Sequence, residues 1–175
     1  KKLVKYAKVA REKMYIVGSL KVDLAKKNIS TIEQKKNRKH ILFVSDYSLG
    51  SWGEAECAHY KKYYGVTITT ADIELIAKER DNAIKNAIKI SKLFNFSVTF
   101  RLHPGESYEP YRCLEGTNVN LSLGEQSLMD DVFHSDLVVG YTTTSIFEIL
   151  ASGRSFISLH EEDYPRIQFR EFLQE

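Results

Sequence analysis

Short apolar runs alternate with longer amphipathic segments along most of the chain. Ile41, Leu42, Phe43 and Val44 form a compact apolar run after a polar stretch, the pattern of a strand buried on both sides. Residues 97–102, 119–121, 137–140 and 155–159 read as four further strands. Between the first two, Ile73, Ile76, Ala83, Ile84, Ala87 and Ile88 recur at helical spacing and predict a helix over 71–94. Thr70 or Asp72 is its expected N-cap. Residues 125–134 and 144–152 predict two shorter helices, the second stopped by Gly153. Residues 46–56, with Ser, Gly and the single Trp, read as a loop. Ahead of the first strand, 2–12 reads as a basic helix and 14–17 as a strand running into Gly18-Ser19. Residues 21–39 then read as a lysine-rich connector.

This alternation predicts an α/β fold, a Rossmann-like parallel sheet with helices on both faces. The expected division is 1–37 as the end of a preceding domain and its linker, and 38–175 as the Rossmann-like domain. In such sheets ligands lie beyond the carboxyl ends of the strands. That rule directs attention to loops 45–53, 102–108, 121–126, 140–145 and 159–164.

Composition narrows the class without naming it. The chain has 175 residues, 43% hydrophobic and 27% charged, which is a globular balance. Lys plus Arg number 25 against 23 Asp plus Glu, a formal charge of +2. A nucleic-acid partner is therefore not expected, because phosphate-backbone binding calls for a concentrated basic face. The clearest basic cluster, Lys35, Lys36, Arg38 and Lys39, reads as solvated linker. Cys57 and Cys113 lie far apart, without metal-ligand spacing, and read as free thiols in a reducing compartment. No run approaches the ~18 apolar residues of a membrane span, and no signal peptide is visible.

Two loops carry candidate chemistry. Gly140-Tyr141-Thr142-Thr143-Thr144-Ser145 leaves a buried strand and opens a helix. Unpaired N–H groups at a helix start, joined by Thr142, Thr143, Thr144 and Ser145 hydroxyls, suit a phosphate or diphosphate. Gly140 would permit close backbone approach. The plainer alternative is that Thr143 or Thr144 only caps the helix. Glu148, one turn on, could accept hydrogen bonds from ribose hydroxyls, or could simply face solvent. The loop lacks the Lys of a Walker motif. In the second loop, Arg101 and His103 share a strand face and both can bind phosphate oxygens. His103 could also protonate a departing phosphate. Pro104 fixes the chain direction there. Asp46 and the loop 50–53 could approach a donor or acceptor. His40, His59, His134 and His160 have weaker cases, and the pair Asp130-Asp131 reads as a solvated helix turn.

In order, the strand 41–44, Arg101-Leu102-His103-Pro104 and the stretch 134–157 resemble the C-terminal domain of GT-B-type glycosyltransferases. The His-Pro turn with the Thr/Ser turn is similar to bacterial sialyltransferases, capsule Kdo transferases and CDP-glycerol glycerophosphotransferases. The resemblance implies the donor-binding half of a capsule or surface-polysaccharide transferase, with CMP- or CDP-linked donors favoured. It implies that His103, Thr144 and Ser145 contact the donor phosphate and that Glu148 binds ribose. It implies no cofactor beyond the nucleotide-sugar substrate, and no bound metal. The implied partners are that donor, a glycan or lipid-linked acceptor, and an N-terminal domain holding the catalytic base. The location implied is cytoplasmic, free or peripheral to the inner membrane. Residues 15–23 look like the exit from such an N-terminal domain. A sugar-nucleotide epimerase of the UDP-GlcNAc 2-epimerase kind, sharing this fold, and a non-catalytic nucleotide-binding module stay open as alternatives.

Overall fold

The computed structural model describes residues 39–94, 96–140 and 145–159. The helix expected over 2–12, the strand over 14–17, loop residues 141–144 and His160 lie outside them.

Five strands form one all-parallel sheet: β1 (His40–Val44), β2 (Ser97–Arg101), β3 (Val119–Ser122), β4 (Leu137–Gly140) and β5 (Ser155–Ser158). Their spatial order is β3-β2-β1-β4-β5. The chain builds leftward from β1 and then returns to its other side, so the order reverses between β1 and β4. Each of the five strands expected between 41 and 159 is present within one or two residues of its expected bounds.

Alternation along β1 explains the two layers. Ile41 and Phe43 face one core with Val98, Phe100 and Val139, closed by Ile76, Ala83, Ile84 and Ala87 of helix α2 (Thr70–Leu93). Phe43 and Phe100 stack with centroids 5.7 Å apart. Leu42 and Val44 face the other way. With Val138 they pack on Val132 of α3 (Leu128–Phe133) and Ile149 of α4 (Ile146–Ala151). Burial on both faces is why β1 has no polar residue after His40. Each such side chain contributes roughly 1.5–3 kcal/mol.

The cap of α2 is Thr69, one residue before the expected pair. Its hydroxyl accepts from the Asp72 amide at 3.2 Å, and Asp72 accepts the Thr69 amide at 2.8 Å. Thr69 and Asp72 thus form a reciprocal capping box across three residues. The expected loop 46–56 contains a 3-10 turn, Ser48–Ser51, and then an additional helix, α1 (Glu54–Tyr64). Helix α1 buries none of its residues, so it has no apolar stripe for a periodicity argument to detect. Gly50 lies against α2: a Cβ there would stand 2.7 Å from the Ala77 amide nitrogen. Its missing side chain therefore serves helix packing, and not the approach of a ligand. Among the described residues no helix is long and apolar enough to cross a membrane.

Candidate functional site

Val44 of β1 pairs with Gly140 of β4, so both strands end at one level where the sheet order reverses. Val44 also pairs with Arg101, which brings the end of β2 to the same edge. The loops leaving these three strands carry Ser45-Asp46-Tyr47, Leu102-His103-Pro104 and Gly140 to Ser145. This is the edge at which open α/β sheets bind ligands.

The floor is fixed by buried polar contacts. The Ser45 amide donates to the Arg101 carbonyl at 2.9 Å, and its hydroxyl shares a 2.7 Å hydrogen bond with the Tyr111 hydroxyl. Burial, with Glu106 nearby, pushes the Tyr111 phenol above its ordinary range. Tyr47 is raised as well, first by burial and then by the charges of Glu79, Glu106 and Asp46. Both phenols stay protonated.

Glu106 ties two loops together. Its carboxylate accepts the His103 amide at 3.0 Å and also the Tyr47 amide. Sequence reasoning missed this residue. A lone Glu after a Pro-Gly turn signals nothing until β1 and β2 are known to be neighbours.

The turn from His103 to Glu106 satisfies its own amides. The Glu106 amide donates to the His103 carbonyl at 2.9 Å, and the Gly105 amide donates to His103 Nδ1 at 3.1 Å. Pro104 has no N–H, and the His103 amide is taken by Glu106. The turn therefore presents no spare backbone donor. Its free polar atom is His103 Nε2, which has no partner among the described residues. Because Nδ1 accepts, the neutral ring carries its proton on Nε2. His103 is exposed, so this N–H is open to a ligand oxygen.

Asp46 stands beside this imidazole. Burial raises its carboxyl above the ordinary value, the neighbouring His103 opposes that rise, and Glu106 adds to it. The edge thus combines one imidazole N–H with a carboxyl group whose charged form is disfavoured.

Arg101 ends β2 at this edge, but its guanidinium is already engaged within the protein. Its guanidinium is buried and pairs with the Asp131 carboxylate. It also donates to the Gln126 carbonyl at 2.8 Å. Asp131 is correspondingly a partner of β2 and not a solvated helix residue, because α3 lays its first turn across the end of that strand. The guanidinium is engaged in holding α3 and the 123–127 loop to the sheet.

Gly140 is buried, and a Cβ there would stand 3.2 Å from the Val44 carbonyl oxygen and 3.3 Å from the Phe156 ring. The immediate reason for a glycine is strand pairing and Phe156 packing. Ser145 precedes α4 with helical backbone angles and makes no side-chain cap bond. Its carbonyl accepts the Ile149 amide at 3.0 Å. Glu148 is half-buried in the first turn of α4. Thr142, Thr143 and Thr144 lie outside the described residues.

Two of the other histidines, His40 and His134, hold structure. His40 bridges the His134 carbonyl at 2.8 Å and the Thr99 hydroxyl at 2.9 Å, at the amino edge of the sheet. His134 Nδ1 reaches the Asp130 carbonyl at 2.6 Å. Cys57 and Cys113 are free thiols. Among the described residues no group of three His, Cys, Asp or Glu is arranged to hold a metal ion. No family model matches the chain, and no curated protein or solved structure matches it either.

Proposed function

We propose that this domain binds the nucleotide end of an activated sugar and serves as the donor half of a bacterial surface-glycan transferase. The observation that carries this reading is the register Val44 to Gly140 at the reversal of the sheet. It supports a shared ligand edge for the His103 turn and the hydroxyl-rich loop before α4. In this reading His103 Nε2–H donates to an oxygen of the leaving phosphate and stabilises the charge that grows there as the sugar departs. The Gly105 amide and the Glu106 carboxylate hold the ring and its backbone in place. Thr142, Thr143, Thr144 and Ser145 supply further hydroxyl and amide donors, and Glu148 meets the ribose. Attack by the acceptor requires a base from the partner domain.

Titration calorimetry with CMP, CDP, UMP and UDP tests the reading. Saturable binding that His103→Ala weakens by about tenfold, the loss of one charge-assisted hydrogen bond, supports it. Binding of a cytidine nucleotide in preference to uridine fits the transferase families with CMP or CDP donors. No binding of any nucleotide to the folded chain contradicts it.

Asp46 favours a second reading. A carboxyl with a raised pKa beside an imidazole suits proton transfer, as in a sugar-nucleotide epimerase. A preference for UDP over the cytidine nucleotides, with Asp46→Asn retaining that binding, favours this alternative.

A further inference from the structure

Helix α1 carries a second surface that the nucleotide reading does not use. It buries no residue, yet four aromatic rings lie along it and beside it. Trp52 packs on Tyr60 with centroids 5.2 Å apart, and Tyr60 packs on Tyr64 at 4.6 Å. Tyr60 and Tyr64 are four residues apart and so share one helix face. Tyr64 is 66% exposed. Trp52 and Tyr60 rest partly buried against the core, while Tyr64 extends the row into solvent, and a row of rings anchored at one end and open at the other marks a binding surface.

The row forms one side of an open cavity of about 520 Å³, walled by Trp52, Ala55, Glu56, His59, Tyr60 and Tyr64. That volume falls in the range of small-ligand sites. Glu56 contributes a carboxylate of which one oxygen accepts the Gly53 amide at 2.9 Å. The other oxygen has no partner among the described residues. The walls contain neither lysine nor arginine. Lys62 lies over the Tyr63 ring instead, at 5.3 Å, outside the cavity.

The geometry points to an oligosaccharide-binding platform on α1, taking one or two uncharged sugar rings. A pyranose has an apolar face of C–H groups and an edge of hydroxyl groups. The Trp52, Tyr60 and Tyr64 rings match the face, while the free Glu56 oxygen, the His59 imidazole and the tyrosine hydroxyls match the edge. Charge selects against the other occupants. Phosphates and anionic head groups meet a carboxylate with no cation to offset it. A single-stranded nucleic acid needs a basic track beside its stacking rings, and these walls have none. A protein partner needs roughly 800 Å² of its own surface in contact, whereas this row spans little more than one helical turn.

Trp52 is the only tryptophan in the chain, so its fluorescence reports on the cavity alone. The full chain is titrated with maltohexaose, cellohexaose and chitohexaose in the absence of nucleotide. The expected result is a saturable change in Trp52 emission with at least one of them. Tyr64→Ala is expected to weaken it by about tenfold, the loss of one stacked ring, with the circular dichroism of the chain unchanged. No saturable response to any of the three overturns the inference, as does a response that Tyr64→Ala leaves intact. A Trp52 response confined to phosphatidylcholine–phosphatidylglycerol vesicles overturns it too, in favour of a membrane-facing surface. The inference does not rest on the nucleotide reading. Oligosaccharide binding without nucleotide binding, or the reverse, tells the two apart.

Discussion

The Gly105 amide donates to His103 Nδ1 across a 3.1 Å hydrogen bond, within the turn that leaves β2. This one contact decides what the histidine can offer. With Nδ1 accepting, the neutral ring keeps its proton on Nε2, the atom open to a ligand. Long-range nitrogen–proton NMR of the imidazole is expected to find the Nε2–H tautomer in the native chain. Gly105→Pro removes the donor and is expected to release the ring into a mixture of tautomers. Gly105→Ala keeps the donor and places its Cβ 3.4 Å from Nδ1, an ordinary contact, so the native tautomer persists. A native Nδ1–H tautomer contradicts the assignment.

Glu106 acts as a clasp between the loops after β1 and β2, through the His103 and Tyr47 amides. Glu106→Ala removes two hydrogen bonds to a charged acceptor and leaves both amides seeking water. A loss of about 2–3 kcal/mol in urea unfolding is expected. The amide proton of Tyr47 should exchange faster in this variant. A cost below about 0.5 kcal/mol, the range of unspecific surface changes, would mean that the clasp holds nothing.

The Arg101–Asp131 pair is largely buried, with side-chain exposures of 11% and 15%. Removing one partner strands the other charge, so Arg101→Met and Asp131→Asn are each expected to cost about 3 kcal/mol. The double variant is expected to cost clearly less than the sum, because nothing is then left unpaired. Strict additivity in chemical denaturation contradicts the pairing.

Asp46 gives a pH dependence whose sign is fixed. Its folded-state pKa lies above the unfolded value because burial disfavours the charged form. The stability tied to its protonated form is fully present below the unfolded pKa, about 3.9. It is lost as pH rises through the folded value. Asp46→Asn is therefore expected to be more stable than the native chain at neutral pH, with the difference shrinking toward acid. Urea midpoints measured across that range check it. A variant less stable at neutral pH would show the carboxylate to be a favourable native charge.

The fold was more legible in the sequence than the site. Strands β1 and β4 could be read because burial on both faces turns each into a continuous apolar run, as in Ile41 to Val44. Helix α2 could be read because it covers three strands and shows an apolar stripe. Helix α1 could not, since it buries nothing; its only local marks are Gly53 ahead of Glu56, and Gly65 closing it at φ 70°. At the site, His103 was legible from its place at a strand end. Its neighbours were not, because their roles depend on pairing between distant segments. Glu106 matters only because Tyr47 lies across from it, and the Arg101 guanidinium is occupied by Asp131, thirty residues away. Gly140 looked like an opening for a ligand, and its contacts with Val44 and Phe156 give it a packing role.

The central claim is that the carboxyl edge of β1, β2 and β4 receives a nucleotide phosphate. Chemical-shift mapping of the labelled chain with CMP and CDP tests it most directly. The account predicts that the His103 ring and the amides around Asp46, Gly105 and Gly140 shift together and saturably, while His40 and Leu137 at the opposite edge stay in place. Shifts centred on any other surface, or none with either nucleotide, would contradict it.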